Sequence, residues 1–486
     1  MINFMNFSIA MIPVRVRGVN IRRILGADSK QLKWIMASES IGFILTSFVL
    51  SLVFIALFQN SDLKSFFQAD ISLKSHPILL AIILGCGLIL GLLFSIFPAR
   101  YTASFQPAMA LSGSFAQSKR SVALRSTLIT VQLFSTVILI VVAIFVSIQH
   151  NYMTYYSWGI QKENVLYVEV KKDMLDNNSF INELKKSPDI IDHTVSESIP
   201  GTVQQRWGSE IHEKDIWFAS WIVEHNFIDF FGAQVIEGRN FIPDDDAKAR
   251  VICNQKLAQE FEIENIVGCW LQEGKYGEFV GVVKDINFES LHSAIRPMCF
   301  ITADMADYSN LYLFIKVSGN NIKQSIDYIN SVWMNFTDTP CQINFLDTKL
   351  EELYLTEKNF AKIIALFGAI TMLIAIMGIY GLIVLNAKYK AKEIAIRKIN
   401  GASSENLLIM LNKTVLIQLA IAFIFATPAS YFITQKWLEG FAYRTAIHWW
   451  VFLLAGVIIL TITLLTVSYQ TWMATNMNPT DSLKSE

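Results

Sequence analysis

The sequence predicts a polytopic α-helical membrane protein, with about six transmembrane helices and one extracytoplasmic α+β domain. Three observations predict it. Apolar residues make up 53% of the 486 positions and charged residues only 17%. The apolar excess is gathered into blocks that carry no charge. The formal net charge of -1 hides a segregation of basic from acidic segments along the chain.

The uncharged blocks are 41–56, 77–98, 126–149, 363–387, 414–435 and 449–480. A helix needs roughly 20 apolar residues to cross a bilayer. Five blocks reach that length alone, and the first reaches it with 34–40 added. The expected spans are about 34–58, 77–98, 126–150, 363–386, 414–435 and 450–472.

Orientation follows from charge. Segments 1–35, 99–125, 387–413 and 474–486 hold 17 Lys and Arg residues, and the short opposite segments 59–76 and 436–448 hold 2 each. Basic residues near helix ends mark the cytoplasmic side. The long segment 151–362 carries 19 Lys and Arg against 32 Asp and Glu and is expected outside. Strand-like runs such as 164–170, 278–284 and 311–317 alternate there with helical stretches at 179–186 and 321–336, an α+β pattern.

The chain repeats itself. "RGVNIRRILGADS" (17–29) and "KEIAIRKINGAS" (392–403) are near copies, each followed by two apolar blocks and a Pro-containing tail, "QPAMALSG" (106–113) or "NPTDSLKS" (478–485). Parallel repeats imply two similar halves in the membrane. In the second copy Glu393 precedes Arg397 by four residues, a favourable helical pair. Gly401 stands where a helix would end. A short amphipathic cytoplasmic helix is expected from each copy. A purely lipid-facing helix would need the charge, but not the duplicated Gly-Ala-Ser. The second unit has a preceding helix and outer domain, whereas the first begins at its basic motif. The expectation is a chain shortened at its N-terminus relative to a symmetric parent.

Chemistry-bearing motifs are few. The stretch from Gly268, "GCWLQEGKY", has the wrong spacing for a phosphate-binding loop and a Tyr where Ser or Thr is required. The histidines show no metal spacing. "DDD" at 244–246 is expected to be a solvated turn. Ser209 and Ser290 have no nucleophile motif around them. Cys253, Cys269, Cys299 and Cys341 are expected as free, buried, strand-borne thiols. No catalytic residue, metal or cofactor is expected, and no nucleic acid.

The repeat motif, the stretch 441–456 and the tail 478–486 together resemble the FtsX-like, or MacB-type, ABC transporter permease family in its double-length form. "VIEGRNF" (235–241), "VGVVKDINFESLH" (280–292) and "FLDTKLEELY" (345–354) look like the MacB-type periplasmic core domain. The resemblance implies four parts. Residues 1–125 would be the end of a first permease unit and 126–150 the first helix of a second. Residues 151–360 would be the periplasmic domain and 361–486 the second permease domain. It also implies a bacterial inner-membrane permease without catalysis of its own, engaged in export or mechanotransmission. Its partner would be a cytoplasmic ABC ATPase dimer of the MacB/LolD type, with a periplasmic adaptor or outer-membrane partner as a further expectation. The family's coupling helix falls on Glu393, Ile394, Ile396, Arg397, Lys398, Gly401 and Ala402, and in the first unit on Ile21, Arg22, Arg23, Gly26 and Ala27. The alternative is a membrane-anchored sensor or signalling scaffold whose outer domain binds a ligand such as an antimicrobial peptide.

Overall fold

The computed structural model describes residues 26, 28–59, 72–103, 119–175, 179–203, 205–211, 214–271, 277–303, 308, 311–389, 397 and 404–475. In chain order, three long helices come first: α1 (Ser29–Gln59), α2 (Pro77–Ala103) and α3 (Lys119–Tyr155). A sheet region follows, with β1 (Val165–Val170), α4 (Ser179–Leu184), β2 (Ile190–Ser196), β3 (Arg206–Ile211), β4 (Lys214–Val223), β5 (Val235–Gly238), β6 (Val251–Asn254) and α5 (Gln255–Glu260). It continues through β7 (Phe279–Val283), β8 (Met298–Thr302), β9 (Leu311–Val317), α6 (Ile322–Trp333), β10 (Asn344–Phe345) and α7 (Leu346–Glu352). Helices α8 (Leu355–Tyr389), α9 (Ser404–Leu438) and α10 (Trp449–Thr475) close the chain. All five expected strand and helix stretches of the outer segment fold as elements of that type.

The chain divides into two compact units. A membrane unit holds 1–147, 359–436 and 446–486; an outer unit holds 148–358 and 437–445. Among the described residues, five helices are long and apolar enough to cross a membrane. The apolar part of α2 is counted only over Pro77–Leu93. Within this unit α3 is the central helix. Its buried positions Ile129, Leu133, Val137, Val141 and Phe145 recur every fourth residue, one stripe of a helix. Phe145 meets Phe452 of α10 at 5.7 Å between ring centroids. Buried Gln418 of α9 donates to Ser126 Oγ of α3 at 2.8 Å, a polar tie of the kind that joins helices in lipid. Gly456 of α10 leaves room for the Phe423 ring of α9; a Cβ there would lie 2.7 Å from it. Helices α1 and α2 pair through Gly87 and Ile44 and expose most of their large apolar side chains, as lipid-facing helices do.

The helices run longer than the apolar blocks. Helix α3 has 37 residues, about 55 Å at 1.5 Å per residue, against a hydrocarbon core of ~30 Å. Its last turns, from residue 148, belong to the outer unit, as do 355–358 of α8 and the segment 437–445 that begins with the last two residues of α9.

The outer unit is built on one mixed sheet of ten strands, ordered β10-β1-β9-β2-β4-β8-β6-β7-β5, with β3 paired to β4. The half containing β10, β1, β9 and β2 is antiparallel throughout. Helices α4 and α6 cover one face of it, where Phe180, Leu184, Ile329 and Trp333 pack on Leu166, Val168, Leu313 and Ile315. The other half mixes parallel pairs, β4 with β8 and β6 with β7, with the antiparallel pair β6–β8. A single residue pair, Ser196 with Val223, joins the halves in the ladder between β2 and β4.

Two expectations need correction. The triad 244–246 is not a solvated turn. Only Asp244 is exposed; Asp245 is buried, gripped by Arg239 at 2.6 and 3.1 Å, and accepts from the Ile242 backbone. Asp246 holds His225 Nδ1 at 2.6 Å. Pro243 starts a 3-10 turn that folds these two carboxylates back onto basic partners. Of the outer cysteines, Cys253 and Cys299 are buried on strands as expected, whereas Cys269 and Cys341 are half-buried and lie off the strands. In the structure none of the four is joined in a disulfide.

Candidate functional site: the helix ends inside the outer core

Residues at the end of α3, just before α8 and just after α9 contribute to the core of the outer unit. Met153, at the end of α3, and Trp158 just beyond it are buried in one cluster with Leu346, Leu350, Tyr354 and Phe441. Trp221, Phe227, Phe230, Phe231, Phe300 and Phe314 belong to that same cluster. The segments 148–158, 346–357 and 437–445 are therefore continuous with the packing of the sheet.

Specific polar contacts fix this junction. Gln149 is fully buried. Its Nε2 donates to the Tyr443 carbonyl at 2.8 Å, and its Oε1 accepts from Thr445 N–H at 2.8 Å. One amide thus ties the end of α3 to the segment after α9. Tyr156 lies 4.9 Å from the Tyr443 ring.

The loop 285–292 makes the second set of ties. The Asn287 N–H donates to the Trp158 carbonyl at 2.9 Å. The Leu291 N–H donates to the Tyr354 hydroxyl at 3.1 Å. Burial pushes the Tyr354 phenol above its ordinary value, so it stays protonated. His292 is central: Nδ1 meets Ser290 Oγ at 2.7 Å and Nε2 meets Glu357 Oε1 at 2.9 Å. Its ring lies 4.9 Å from Phe441, and its carbonyl accepts from the Ala442 N–H at 3.2 Å. The structure therefore gives Ser290 an imidazole and a carboxylate that its sequence surroundings did not suggest. The line from Ser290 through His292 to Glu357 joins the loop to the start of α8. It works as a clasp between the loop 285–292, the start of α8 and the segment 437–445.

Gly201 permits close packing here. Its φ is +90°, and a Cβ would fall 2.7 Å from Leu353 Cδ1 and 2.9 Å from Leu350 Cδ2.

A cluster of charges marks the line where the two half-sheets meet. The Val195 N–H donates to Glu224 Oε2 at 3.0 Å, and the Glu224 N–H returns a bond to the Val195 carbonyl at 3.0 Å. Burial pushes the Glu224 carboxyl up to about 7, with Asp246 adding to the rise and His225 opposing it. Burial and the nearby Lys185 push His193 down to about 4. Among the described residues, no group of three or more His, Cys, Asp and Glu is arranged to hold a metal ion.

Two of the expected cytoplasmic coupling residues fall among the described residues. Gly26 is exposed in a turn with φ +94°, the left-handed region that glycine adopts without cost. Arg397 is helical and exposed. Ile21, Arg22, Arg23, Ala27, Glu393, Ile394, Ile396, Lys398, Gly401 and Ala402 lie outside the described residues. Sequence reading missed Gln149, Ser290, His292, Tyr354 and Glu357. Only Gln149 had a signal, a polar residue at the end of an apolar block. His292 and Glu357 meet across a separation of 65 residues, and the Leu291 N–H meets Tyr354 across 63, so no local spacing records either contact.

Residues 1–107 and 365–479 match the FtsX-like permease C-terminal family. Over these two segments, one at each end, the chain is similar to that permease family. No curated protein matches the chain. Among solved structures, the chain is similar to the periplasmic region of MacB from Actinobacillus actinomycetemcomitans, at 14% identity. That match covers 40% of this chain and 94% of that one, with a TM-score of 0.30. It is also similar to the extracellular domain of the noncanonic ABC-type transporter YknZ from Gram-positive bacteria. There the identity is 17%, covering 37% of this chain and 97% of that one, with a TM-score of 0.28. A domain of a permease protein from Porphyromonas gingivalis is similar at 13% identity and a TM-score of 0.28, covering 38% of this chain and 91% of that one.

Proposed function

We propose that the chain is the permease subunit of a bacterial inner-membrane ABC transporter of the MacB/FtsX type. It couples ATP hydrolysis by a separate cytoplasmic ATPase to a conformational change of its outer domain, for export or mechanotransmission. The observation that carries this reading is the junction. The end of α3, Tyr354 just before α8 and Phe441 just after α9 are packed inside the outer core, and Gln149, His292 and Glu357 clasp these segments. A protein interior is close-packed and transmits displacement. A shift of these helix ends is therefore a shift of the outer core itself.

The duplicated basic motif supports the cytoplasmic end of the reading. Two copies suit the two equivalent grooves of an ATPase dimer. In this reading Ile21, Arg22, Arg23, Gly26 and Ala27 of the first copy, and Glu393, Ile394, Ile396, Arg397, Lys398, Gly401 and Ala402 of the second, form the ATPase-docking surface.

The test is co-purification from native membranes in mild detergent, read as an ABC ATPase band and ATP turnover. The variant Arg397→Glu/Gly401→Val is expected to insert normally and to lose both. Unchanged ATPase recovery with that variant overturns the proposal.

A further inference from the structure

Cys253 and Cys299 occupy one rung of the ladder between β6 and β8. Ladder parity decides what kind of rung it is. Thr302 N–H donates to the Arg250 carbonyl at 3.0 Å, so 250 and 302 form a hydrogen-bonded pair. Antiparallel pairs alternate between hydrogen-bonded and non-hydrogen-bonded. Val251 with Ile301 is then non-bonded, Ile252 with Phe300 bonded, and Cys253 with Cys299 non-bonded. One rung further, Met298 N–H turns to Asn254 Oδ1 at 3.0 Å, in keeping with that alternation.

At non-bonded rungs the Cα atoms stand about 4.5 Å apart and the side chains are closest. A disulfide spans Cα separations of about 4.4–6.8 Å. The two side chains also share a face. Cys253, Cys299, Val251 and Ile301 belong to the cluster under α5, whereas Ile252, Met298 and Phe300 belong to the opposite one. Both cysteines have no exposed surface. Burial, and then the neighbouring Cys253, push the Cys299 thiol well up.

We infer that Cys253 and Cys299 form a cross-strand disulfide when the outer domain folds in an oxidising compartment, closing the loop 254–298. The inference rests on the reading that this unit lies outside the cytoplasm. The two Cys S–H bonds and the S–S bond of a disulfide-donating oxidant break. One Sγ–Sγ bond forms, and two electrons and two protons pass to the oxidant, which leaves as two thiols. Thiolates are the attacking species, and buried thiols of raised pKa supply almost none. The bond therefore forms before β6 and β8 close over it, and the folded sheet then shields it. Cys269 and Cys341 sit on no such rung.

The experiment uses the full chain, made in cells with an oxidising outer compartment and quenched with an alkylating agent in denaturant. It is digested without reduction and read by mass spectrometry. The expected result is a linked peptide pair containing Cys253 and Cys299, two hydrogens lighter than the sum of the free peptides. In the folded chain the link is expected to survive a phosphine reductant, and to be lost once denaturant is added. Alkylated Cys253 and Cys299, or a link from either to Cys269 or Cys341, overturns the inference. A protease added to spheroplasts separates the two readings. Cleavage within 148–358 with alkylated thiols refutes the disulfide alone. Full protection of that segment refutes the outside location and the disulfide with it.

Discussion

Replacing Gln149 by Leu removes both ends of one amide clasp while nearly conserving volume. The wild-type side chain serves the Tyr443 carbonyl and the Thr445 N–H, each at 2.8 Å. An unpartnered buried polar group costs about 1–3 kcal/mol. Tyr443 and Thr445 are only half-buried, so water can replace part of what is lost and the lower end applies. Two groups at about 1 kcal/mol each give ~2 kcal/mol. The segment 437–445 is short and can open alone, so the loss appears as local opening rather than global unfolding. At 1.4 kcal/mol per tenfold, protection of the Thr445 amide from hydrogen exchange falls about 30-fold. Gln149→Glu keeps the acceptor for Thr445 and loses the donor to Tyr443, so its effect on Thr445 is smaller. The assay is amide exchange with fragment mass spectrometry on the full chain in detergent. A change of less than about threefold in Gln149→Leu would refute the claim that this amide holds the segment to α3.

Two further outcomes follow from the outer unit. Folding holds the Glu224 proton up to about 7, where the unfolded carboxyl has lost it above 4.5, so this group's contribution to stability falls as pH rises through that window. His193, moved from 6.5 to about 4, contributes in the opposite sense over its own window, so the wild-type profile is flattened. Glu224→Gln removes the falling part. Relative to wild type it gains stability between pH 5 and 8, by about 3 kcal/mol at most. Denaturant unfolding followed by tryptophan fluorescence at both pH values measures it, and equal differences at the two would refute it. Gly201→Ala forces a Cβ against Leu353 and Leu350 at φ +90°, costing about 2–4 kcal/mol from left-handed strain and overpacking together. A melting temperature within a degree of wild type would show that this contact relaxes freely.

Much of the architecture was legible because it is local. Apolar blocks such as 126–149 and 363–387 state their own burial, and 164–170, 278–284 and 311–317 state their strand period. The junction was illegible for a different reason. His292 and Glu357 meet because β7, β8 and α7 bring their loops together, and nothing in the spacing of either residue records that. Asp245 and Asp246 misled because an acidic run beside a proline reads as solvated. The two arginines and the histidine that hold them come from 239, 250 and 225.

The ends of the blocks deserve the most weight in reading such a chain. The uncharged block from 126 stops at Gln149, yet α3 continues to Tyr155. A helix that ended with its apolar block would stop at the membrane surface and leave the outer sheet attached by flexible chain. Here Gln149 closes the block with ordered hydrogen bonds, and Met153 in the turns that follow is buried in the outer core. The continuation of α3 past its apolar block thus puts helix residues, rather than irregular chain, into the packing of the outer core.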